Sequence, residues 1–153
     1  MESIEKIILT QIYLSGITGK SYIDGLKTKK GFTENIINSK TDELVKNKLI
    51  TEDKNALTEL GRSSLRVVLA GGVFDIIHPG HIHTLSAAKI LGDVLIVVVA
   101  TDNTAVKMKK RQPLHSKEQR QELVNSLSMV DLCLIGQEDD IFKTFKYLFK
   151  KAI

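Results

Sequence analysis

The second half of the sequence predicts an α/β fold from two features of its pattern. Two short apolar runs, LRVVLAGG and DVLIVVVA, are rich in valine and leucine, as expected of parallel strands that are buried on both faces. A helical pattern over 79–91 lies between these runs, and a further helix and a third apolar run over 129–135 follow. Because strands and helices alternate, we expect a Rossmann-like, doubly wound parallel sheet, limited here to three strands.

The helices of this half have recognisable ends. The helix over 79–91 stops at Gly92. Ser116 followed by Gln119 forms a capping box, which predicts that the next helix begins there. A last helix follows the third strand; its cap is Asp139 or Asp140, and its apolar residues are Ile141, Phe145, Leu148 and Phe149.

Residues 1–64 have a different pattern and are expected to form a separate domain, with 65–153 as the second. Isoleucines at helical spacing predict a helix over 2–15, a shorter helix follows, and Thr33 caps a third. The segment KLITEDKNALTELGR then indicates two short strands around a turn. Three helices and a hairpin resemble the winged helix-turn-helix domains of small prokaryotic regulators, so we expect a small winged-helix-like α+β domain.

This first domain leaves two functions open. In one, its third helix lies in a DNA major groove with Lys40, Lys46 and Lys48 on phosphates, and the chain is a nucleotide-sensing regulator with a noncatalytic second domain. In the other, the domain serves only packing or dimerisation. Acidic and basic residues nearly balance in 1–64, and this weak electrostatic signal disfavours DNA.

Composition limits the class of protein. The sequence is 42% hydrophobic and 26% charged, as is ordinary for a globular protein, and its net charge of +4 favours anionic ligands. A single cysteine, Cys133, excludes an intrachain disulfide framework and predicts a small buried side chain in a reducing compartment. No apolar run approaches the length of a membrane span and no signal peptide is visible, so we expect a cytoplasmic protein with no membrane partner.

The stretch GGVFDIIHPGHIHTL, residues 71–85, carries the strongest functional signal. It joins the end of the first strand to the start of a helix, where ligands of such sheets bind and where backbone N–H groups favour a phosphate. Its glycines let the main chain approach the ligand closely. His78 and His81 are three residues apart, so both imidazoles are expected to point to one side and to donate hydrogen bonds to a phosphoryl group in transfer.

The sequence also supports predictions for three other polar residues. Asp75 is a candidate partner for a magnesium ion that bridges phosphate oxygens. His83 and His115 have no evident partner in the sequence and are expected to be ordinary surface or core residues.

The stretch GGVFDIIHPGHIHTL resembles the signature of the cytidylyltransferase-like nucleotidyltransferases, whose mark is His-x-Gly-His after the first strand. The resemblance covers 66–142. With SKEQRQELVNSLSMVDLCLIGQEDDIF, the sequence is most similar to archaeal FAD synthetases. Glycerol-3-phosphate cytidylyltransferases and the nucleotidyltransferases of heptose and lipopolysaccharide-core synthesis come next. The motif is specific for the superfamily but only weakly specific for the substrate.

The resemblance implies that an acceptor phosphate attacks the α-phosphorus of CTP or ATP with Mg²⁺ and releases pyrophosphate. The acceptor would be FMN, glycerol 3-phosphate or a sugar phosphate. The implied catalytic residues are His78, His81 and Lys110. The implied nucleotide contacts are Gly71, Gly72, Val73, Phe74, Gly80, Lys107 and Arg120. The implied acceptor contacts are Asp75 and Asp102, with Asp75 also near the metal.

The lysines belong to the segment KMKKR, 107–111, which the resemblance identifies as a loop that offers lysines to phosphates. Its position after the second strand, at the ligand end of the sheet, favours phosphate contact. The alternative is a solvated surface loop, as most charge runs are.

The family also carries a late Ile-Ser-Ser-Thr-Arg-type motif that binds the triphosphate, and the sequence contains no such segment. The resemblance therefore implies weak nucleotide binding unless a second subunit supplies substitutes; a truncated reading frame is the other explanation. A three-stranded sheet with an open edge also invites pairing with another chain, so we expect a homodimer.

Overall fold

The computed structural model describes residues 3–138 and 140–151. The chain divides between Leu65 and Arg66 into two compact units, the second of which runs from Arg66 to Leu148. The predicted division lies between residues 64 and 65.

The first unit consists of helices and a single strand-like bridge. The helices are α1 (Ile4–Thr18), α2 (Tyr22–Lys30), α3 (Glu34–Lys46) and α4 (Glu59–Ser63). The two strands expected around the turn are reduced to one antiparallel bridge between Ile50 and Leu57. The chain turns into α4 directly afterwards, because the Thr58 hydroxyl caps that helix by accepting from the Gly61 N–H at 3.0 Å.

Lys40, on α3, is held by two carboxylates. Its ammonium group lies 3.0 Å from Glu5 Oε1 and 3.1 Å from Glu43 Oε2. The hydrogen bond from Lys40 lowers the pKa of Glu5. The predicted phosphate contact of Lys40 would therefore compete with two ion pairs inside its own unit.

The second unit is a parallel sheet with helices between its strands. The strands are β1 (Val67–Gly72), β2 (Val94–Val99) and β3 (Leu132–Ile135). The helices are α5 (Pro79–Ile90), α6 (Asp102–Lys109), α7 (Lys117–Asn125) and α8 (Ile141–Lys151). The described strands lie in the order β1-β2-β3, and both pairs are parallel. This arrangement confirms the predicted α/β, Rossmann-like fold class.

The complete burial of the central strand, β2, accounts for its apolar sequence. Every residue of β2 is 0% exposed, because β2 has a neighbour on each edge and is covered on both faces. Leu85 of α5 and Val124 of α7 share one buried cluster with alternate residues of β2. The carboxyl ends of β1, β2 and β3 lie at the same edge of the sheet, since Gly72 is in register with Val99 and Val99 with Ile135.

One helix differs from the expectation. Residues Asp102–Lys109 form α6, so 107–109 are helical where the sequence predicted a basic loop over 107–111; Thr101 caps this helix by accepting from the Thr104 N–H at 3.2 Å. Before α8, Asp140 Oδ1 accepts from the Phe142 N–H at 2.8 Å, as predicted for one of two alternative caps. Asp139, the other, lies outside the described residues. Within the described ranges no helix is long and apolar enough to cross a membrane.

Candidate active site

The turn after β1 is shaped by Phe74. Its backbone is left-handed, with φ of 52°, which is costly for a bulky residue, and its side chain is only 8% exposed. The ring lies over Gly72, where a Cβ would stand 2.9 Å from Phe74 Cε2. Gly72 is thus required by the Phe74 ring as well as by any ligand. Of its neighbours, Val73 is buried and Gly71 is exposed at the end of β1.

His78 caps α5 with its own ring. Its Nδ1 accepts a hydrogen bond from the Gly80 N–H at 3.1 Å, and Pro79 occupies the first helical position. A Cβ on Gly80 would stand 2.9 Å from His78 Cε1. The glycine between the two histidines therefore leaves room for the His78 imidazole to fold over the helix N-terminus.

His78 and His81 form a stacked pair at this N-terminus. The His78 N–H donates to Nδ1 of His81 at 3.4 Å, and the ring centroids are 3.9 Å apart with an interplanar angle of 31°. The two imidazoles therefore lie on one side, as expected. Because each Nδ1 accepts a backbone N–H, a neutral ring in either position carries its proton on Nε2. Each Nε2–H is a donor of the kind that suits a phosphoryl oxygen, and for His81 the bond to phosphate would replace the hydrogen bond between its ring and the Ile76 backbone.

The surroundings of His81 favour the neutral form of its ring. Burial lowers the pKa of His81 from its ordinary 6.5, and the charges of His78 and Lys109 lower it further, against a hydrogen bond with the Ile76 backbone that raises it. The Phe74 ring lies 5.2 Å from the His81 ring and contributes to this apolar environment.

The basic segment places its lysines differently from the expectation. Lys109, in the last turn of α6, is the lysine whose charge acts on His81. Sequence reasoning chose Lys107 and Lys110 instead. Lys110 is the exposed C-cap of α6 with a left-handed φ of 54°, and Lys107 lines a separate groove. The sequence did not predict α6, and without a helix nothing distinguishes Lys107, Lys109 and Lys110 from one another as phosphate ligands.

The groove that Lys107 lines lies at the carboxyl ends of β2 and β3. It has a volume of about 650 Å³ and is lined by Asn103, Val106, Lys107, Gln112 and Glu138. Glu138 Oε2 accepts from the Thr101 hydroxyl at 3.3 Å and from the Asn103 amide at 3.4 Å. These bonds join the start of α6 to the segment after β3, and sequence reasoning missed both Asn103 and Glu138.

Arg120 is a buried residue whose guanidinium joins several segments around the site. Its side chain is 0% exposed. The guanidinium donates to the carbonyls of Val73 at 2.9 Å, Ala100 at 2.7 Å and His115 at 3.1 Å. It also forms an ion pair of 2.8 Å with Asp102, which is partly exposed. Nη1, Nη2 and Nε of Arg120 all donate to protein groups, so its predicted contact with nucleotide, which stays a prediction, would require it to exchange one of these bonds.

Asp75 is also occupied by protein groups. Its side chain is 6% exposed; Oδ2 accepts from Arg111 Nη1 and from the Leu114 N–H, both at 3.0 Å, and Oδ1 accepts from the His115 N–H at 3.0 Å. Burial works to raise the pKa of Asp75, but these hydrogen bonds outweigh it and lower the pKa to about 2. His115, for which the sequence offered no partner, also donates through Nδ1 to the Asp75 carbonyl at 2.8 Å.

The protein residues do not fit a dedicated magnesium site. Across 3–138 and 140–151, no three His, Cys, Asp or Glu side chains are grouped to hold a metal ion. Both carboxylate oxygens of Asp75 already accept hydrogen bonds, so Asp75 does not fit the predicted role of metal ligand. Magnesium that is held mainly by substrate phosphates and water needs no such protein cage. His83 is exposed on α5 and lines a pocket with His78 and Ile82, so the expectation that it is an ordinary surface residue stays a prediction.

Comparison with known proteins places this geometry in a family. The profile of the family described as Cytidylyltransferase-like matches residues 69–152. The FAD synthase of Picrophilus torridus is 57% identical over 77 residues, which are 50% of this chain and 55% of that protein. The FAD synthase of Thermococcus onnurineus is 52% identical over 80 residues, 52% of this chain and 53% of that protein. The chain thus spans about half the length of the curated relatives it matches.

A solved structure is similar as well. The crystal structure of the lipopolysaccharide core biosynthesis protein from Thermoplasma volcanium matches with a TM-score of 0.52 and 43% sequence identity. The match covers 55% of this chain and 68% of that chain. The family match over residues 69–152 includes most of β1, the His-x-Gly-His turn and the segment that follows β2.

Proposed function

Because the chain belongs to the cytidylyltransferase-like family, we propose that it is a nucleotidyltransferase that transfers AMP from ATP to FMN. The names of the FAD synthase relatives favour this donor and acceptor. CTP as donor, and glycerol 3-phosphate or a sugar phosphate as acceptor, are the other pairs that the sequence predicted.

One observation carries this proposal: the stacked His78 and His81 pair at the N-terminus of α5. In the reaction, a phosphate oxygen of FMN forms a bond to the α-phosphorus of ATP. The bond from that phosphorus to the oxygen that bridges the α- and β-phosphates breaks, and pyrophosphate leaves with its electron pair. The two Nε2–H groups and the positive end of the helix would stabilise the negative charge that builds up on the α-phosphoryl oxygens.

The basic residues would bind the rest of the triphosphate. The charge of Lys109 acts on His81, and we propose that the same charge attracts the phosphate oxygens bound by the histidine pair. Lys110 follows it and is exposed, which keeps it available as the second cation that the sequence predicted. We infer that Lys109 has the larger effect, because it is the lysine whose field reaches the histidine pair.

The groove beside α6 would hold the acceptor. It combines the Lys107 ammonium group with the amides of Asn103 and Gln112 and the Glu138 carboxylate. A cation suits a phosphate, and amide and carboxylate groups suit hydroxyl groups. The ribityl phosphate of FMN offers both. Asp102, which is fixed by Arg120, lies at the start of the same helix and would contact the acceptor as predicted.

Pyrophosphate release by the purified chain tests the proposal. ATP and CTP are each paired with FMN, glycerol 3-phosphate and a sugar phosphate in the presence of Mg²⁺, with His81→Ala and the exposed His83→Ala as the matched pair of variants. We expect release only with ATP and FMN, its loss in His81→Ala and its retention in His83→Ala. Equal release by both variants would contradict the role of the histidine pair.

DNA binding by the first unit is the alternative function. Lys40, one of the predicted phosphate contacts, is paired with Glu5 and Glu43, so we favour nucleotidyl transfer.

A homodimer remains expected from the open sheet edge, and light scattering on the purified chain measures its oligomeric state.

A further inference from the structure

Asp75 joins the turn that leads to His81 to the segment that follows α6. On its own side, the next residue, Ile76, has the backbone group that hydrogen-bonds the His81 ring. On the other side, Asp75 accepts from Arg111, two residues after Lys109, the lysine whose charge acts on His81. The carboxylate therefore links the turn that carries the histidines to the end of α6 that carries the cation.

The link is made by the whole carboxyl group and by the backbone beside it. The carboxylate accepts from Arg111, Leu114 and His115, and the Asp75 carbonyl accepts from the His115 ring. Such a set of bonds to one ionised group fixes a segment far more firmly than a single surface ion pair does.

Segment 111–115 is also held by hydrogen bonding at its C-terminal residue, His115. The carbonyl of His115 accepts from Arg120 Nε at 3.1 Å, while the same guanidinium holds the carbonyls of Val73 and Ala100. Segment 111–115 thus lies between a buried carboxylate and a buried guanidinium. Neither group is free to bind a ligand, and both act on the same piece of chain.

We propose that Asp75 is a positioning residue, which anchors segment 111–115 and so fixes the end of α6, where Lys109 lies, relative to the turn that carries His78 and His81. The inference rests on the proposed nucleotidyl transfer for its effect on rate, but the anchoring itself is a property of the ligand-free protein. It replaces the role of metal ligand, because the oxygens that a metal would need are the ones that hold the segment.

Asp75→Asn tests the anchor, because the amide keeps the shape but turns an N–H₂ group toward N–H donors. Glu122→Gln, which neutralises an exposed carboxylate on α7, is the matched control. Two quantities are measured: the pKa of His81, from NMR of the ring protons in the ligand-free protein, and kcat and KM for pyrophosphate release. A thermal melt checks that each variant is folded.

We expect the pKa of His81 to rise toward 6.5 in Asp75→Asn, since both its burial and the field of Lys109 decrease. We expect kcat to fall about 100-fold, the size of effect that misplacement by about 1 Å produces, with a smaller change in KM. Glu122→Gln should leave both quantities as in the wild type. If Asp75→Asn does not fold, Arg111→Gln, at a side chain that is 56% exposed, should show the same changes in weaker form.

Two results would overturn the anchor. An unchanged His81 pKa in folded Asp75→Asn would show that the position of Lys109 does not depend on Asp75. Activity that returns when Mg²⁺ is raised, with no shift at His81, would make Asp75 a metal ligand instead. If the wild type shows no transfer at all, the proposed function fails, whereas the His81 titration still decides whether Asp75 is the anchor.

Discussion

Arg120 donates from Nη2 to Asp102 Oδ1 at 2.8 Å, and the side chain of Arg120 is entirely buried while that of Asp102 is partly exposed. The pair places a buried guanidinium at the carboxyl end of β2 and balances its charge with the carboxylate of Asp102. The remaining donors of Arg120 satisfy carbonyls from the turn after β1, the end of β2 and the segment before α7. One side chain therefore sets the spacing of the three segments that surround the candidate site.

Arg120→Met should destabilise the protein strongly. The substitution keeps the apolar volume but leaves the carbonyls of Val73 and Ala100 without their donor, and each buried acceptor left unsatisfied costs about 1–3 kcal/mol. Urea unfolding measures the loss in free energy of unfolding. Arg66→Met, at an exposed position of the same unit, is the control, with an expected change below about 0.5 kcal/mol. Similar losses for both would mean that Arg120 is no more structural than a surface residue.

Gly80→Ala should lower activity without unfolding the protein. The new Cβ would stand 2.9 Å from His78 Cε1, so the His78 ring must move off the helix N-terminus. We expect a loss in kcat/KM of about 100-fold, because the ring loses its position relative to the phosphate.

Gly16→Ala is the matched substitution for Gly80→Ala. It lies in α1, where a Cβ would meet nothing within 4 Å, and it should raise stability by about 0.5–1 kcal/mol while leaving activity unchanged. Activity of Gly80→Ala equal to that of Gly16→Ala would refute the account of the His78 ring.

Stability should depend on Asp75 at acidic pH. The folded-state pKa of Asp75 is lowered from 3.8 to about 2, so its contribution is fully present above the unfolded value and is lost as pH falls from 3.8 through about 2. Asp75→Asn should be less stable than the wild type at pH 5, and the difference should shrink as pH approaches 2. Urea unfolding at a series of pH values measures it; a difference that is constant with pH would exclude the ionised carboxylate as its source.

Cys133 should be unreactive in the folded protein. It is 2% exposed on β3, and burial raises the pKa of its thiol to about 12, so almost no thiolate forms near pH 8. A thiol reagent should label the protein in denaturant but not in buffer at pH 8. Rapid labelling in buffer would show that β3 opens or that the thiol lies at the surface.

Local patterns were enough to predict the sheet and the histidine turn. The valine-rich runs, the His-x-Gly-His motif and the capping boxes each act within a few residues, and the structure has β1, β2 and the start of α5 where those patterns indicate. The stacked pair of His78 and His81 likewise follows from a spacing of three at a helix start.

The roles of Asp75, Arg120 and Lys109 could not be read in this way. Arg111 and His115 meet Asp75 across 36 and 40 residues, and Arg120 meets Val73 across 47, so the partners become evident only when the sheet is assembled. Lys109 was missed because α6 was expected to be a loop. Its capping residue, Thr101, was present in the sequence, but the charge run after it indicated solvent rather than a helix.

Transfer of label from ATP to flavin tests the central claim most directly. ATP that is labelled at the α-phosphorus is incubated with FMN and Mg²⁺, and the products are separated for the wild type, His78→Ala and His81→Ala. The account predicts that the label enters FAD with the wild type and that each histidine variant loses this transfer while remaining folded. Label that stays in ATP, or that reaches FAD equally well without His81, would contradict it.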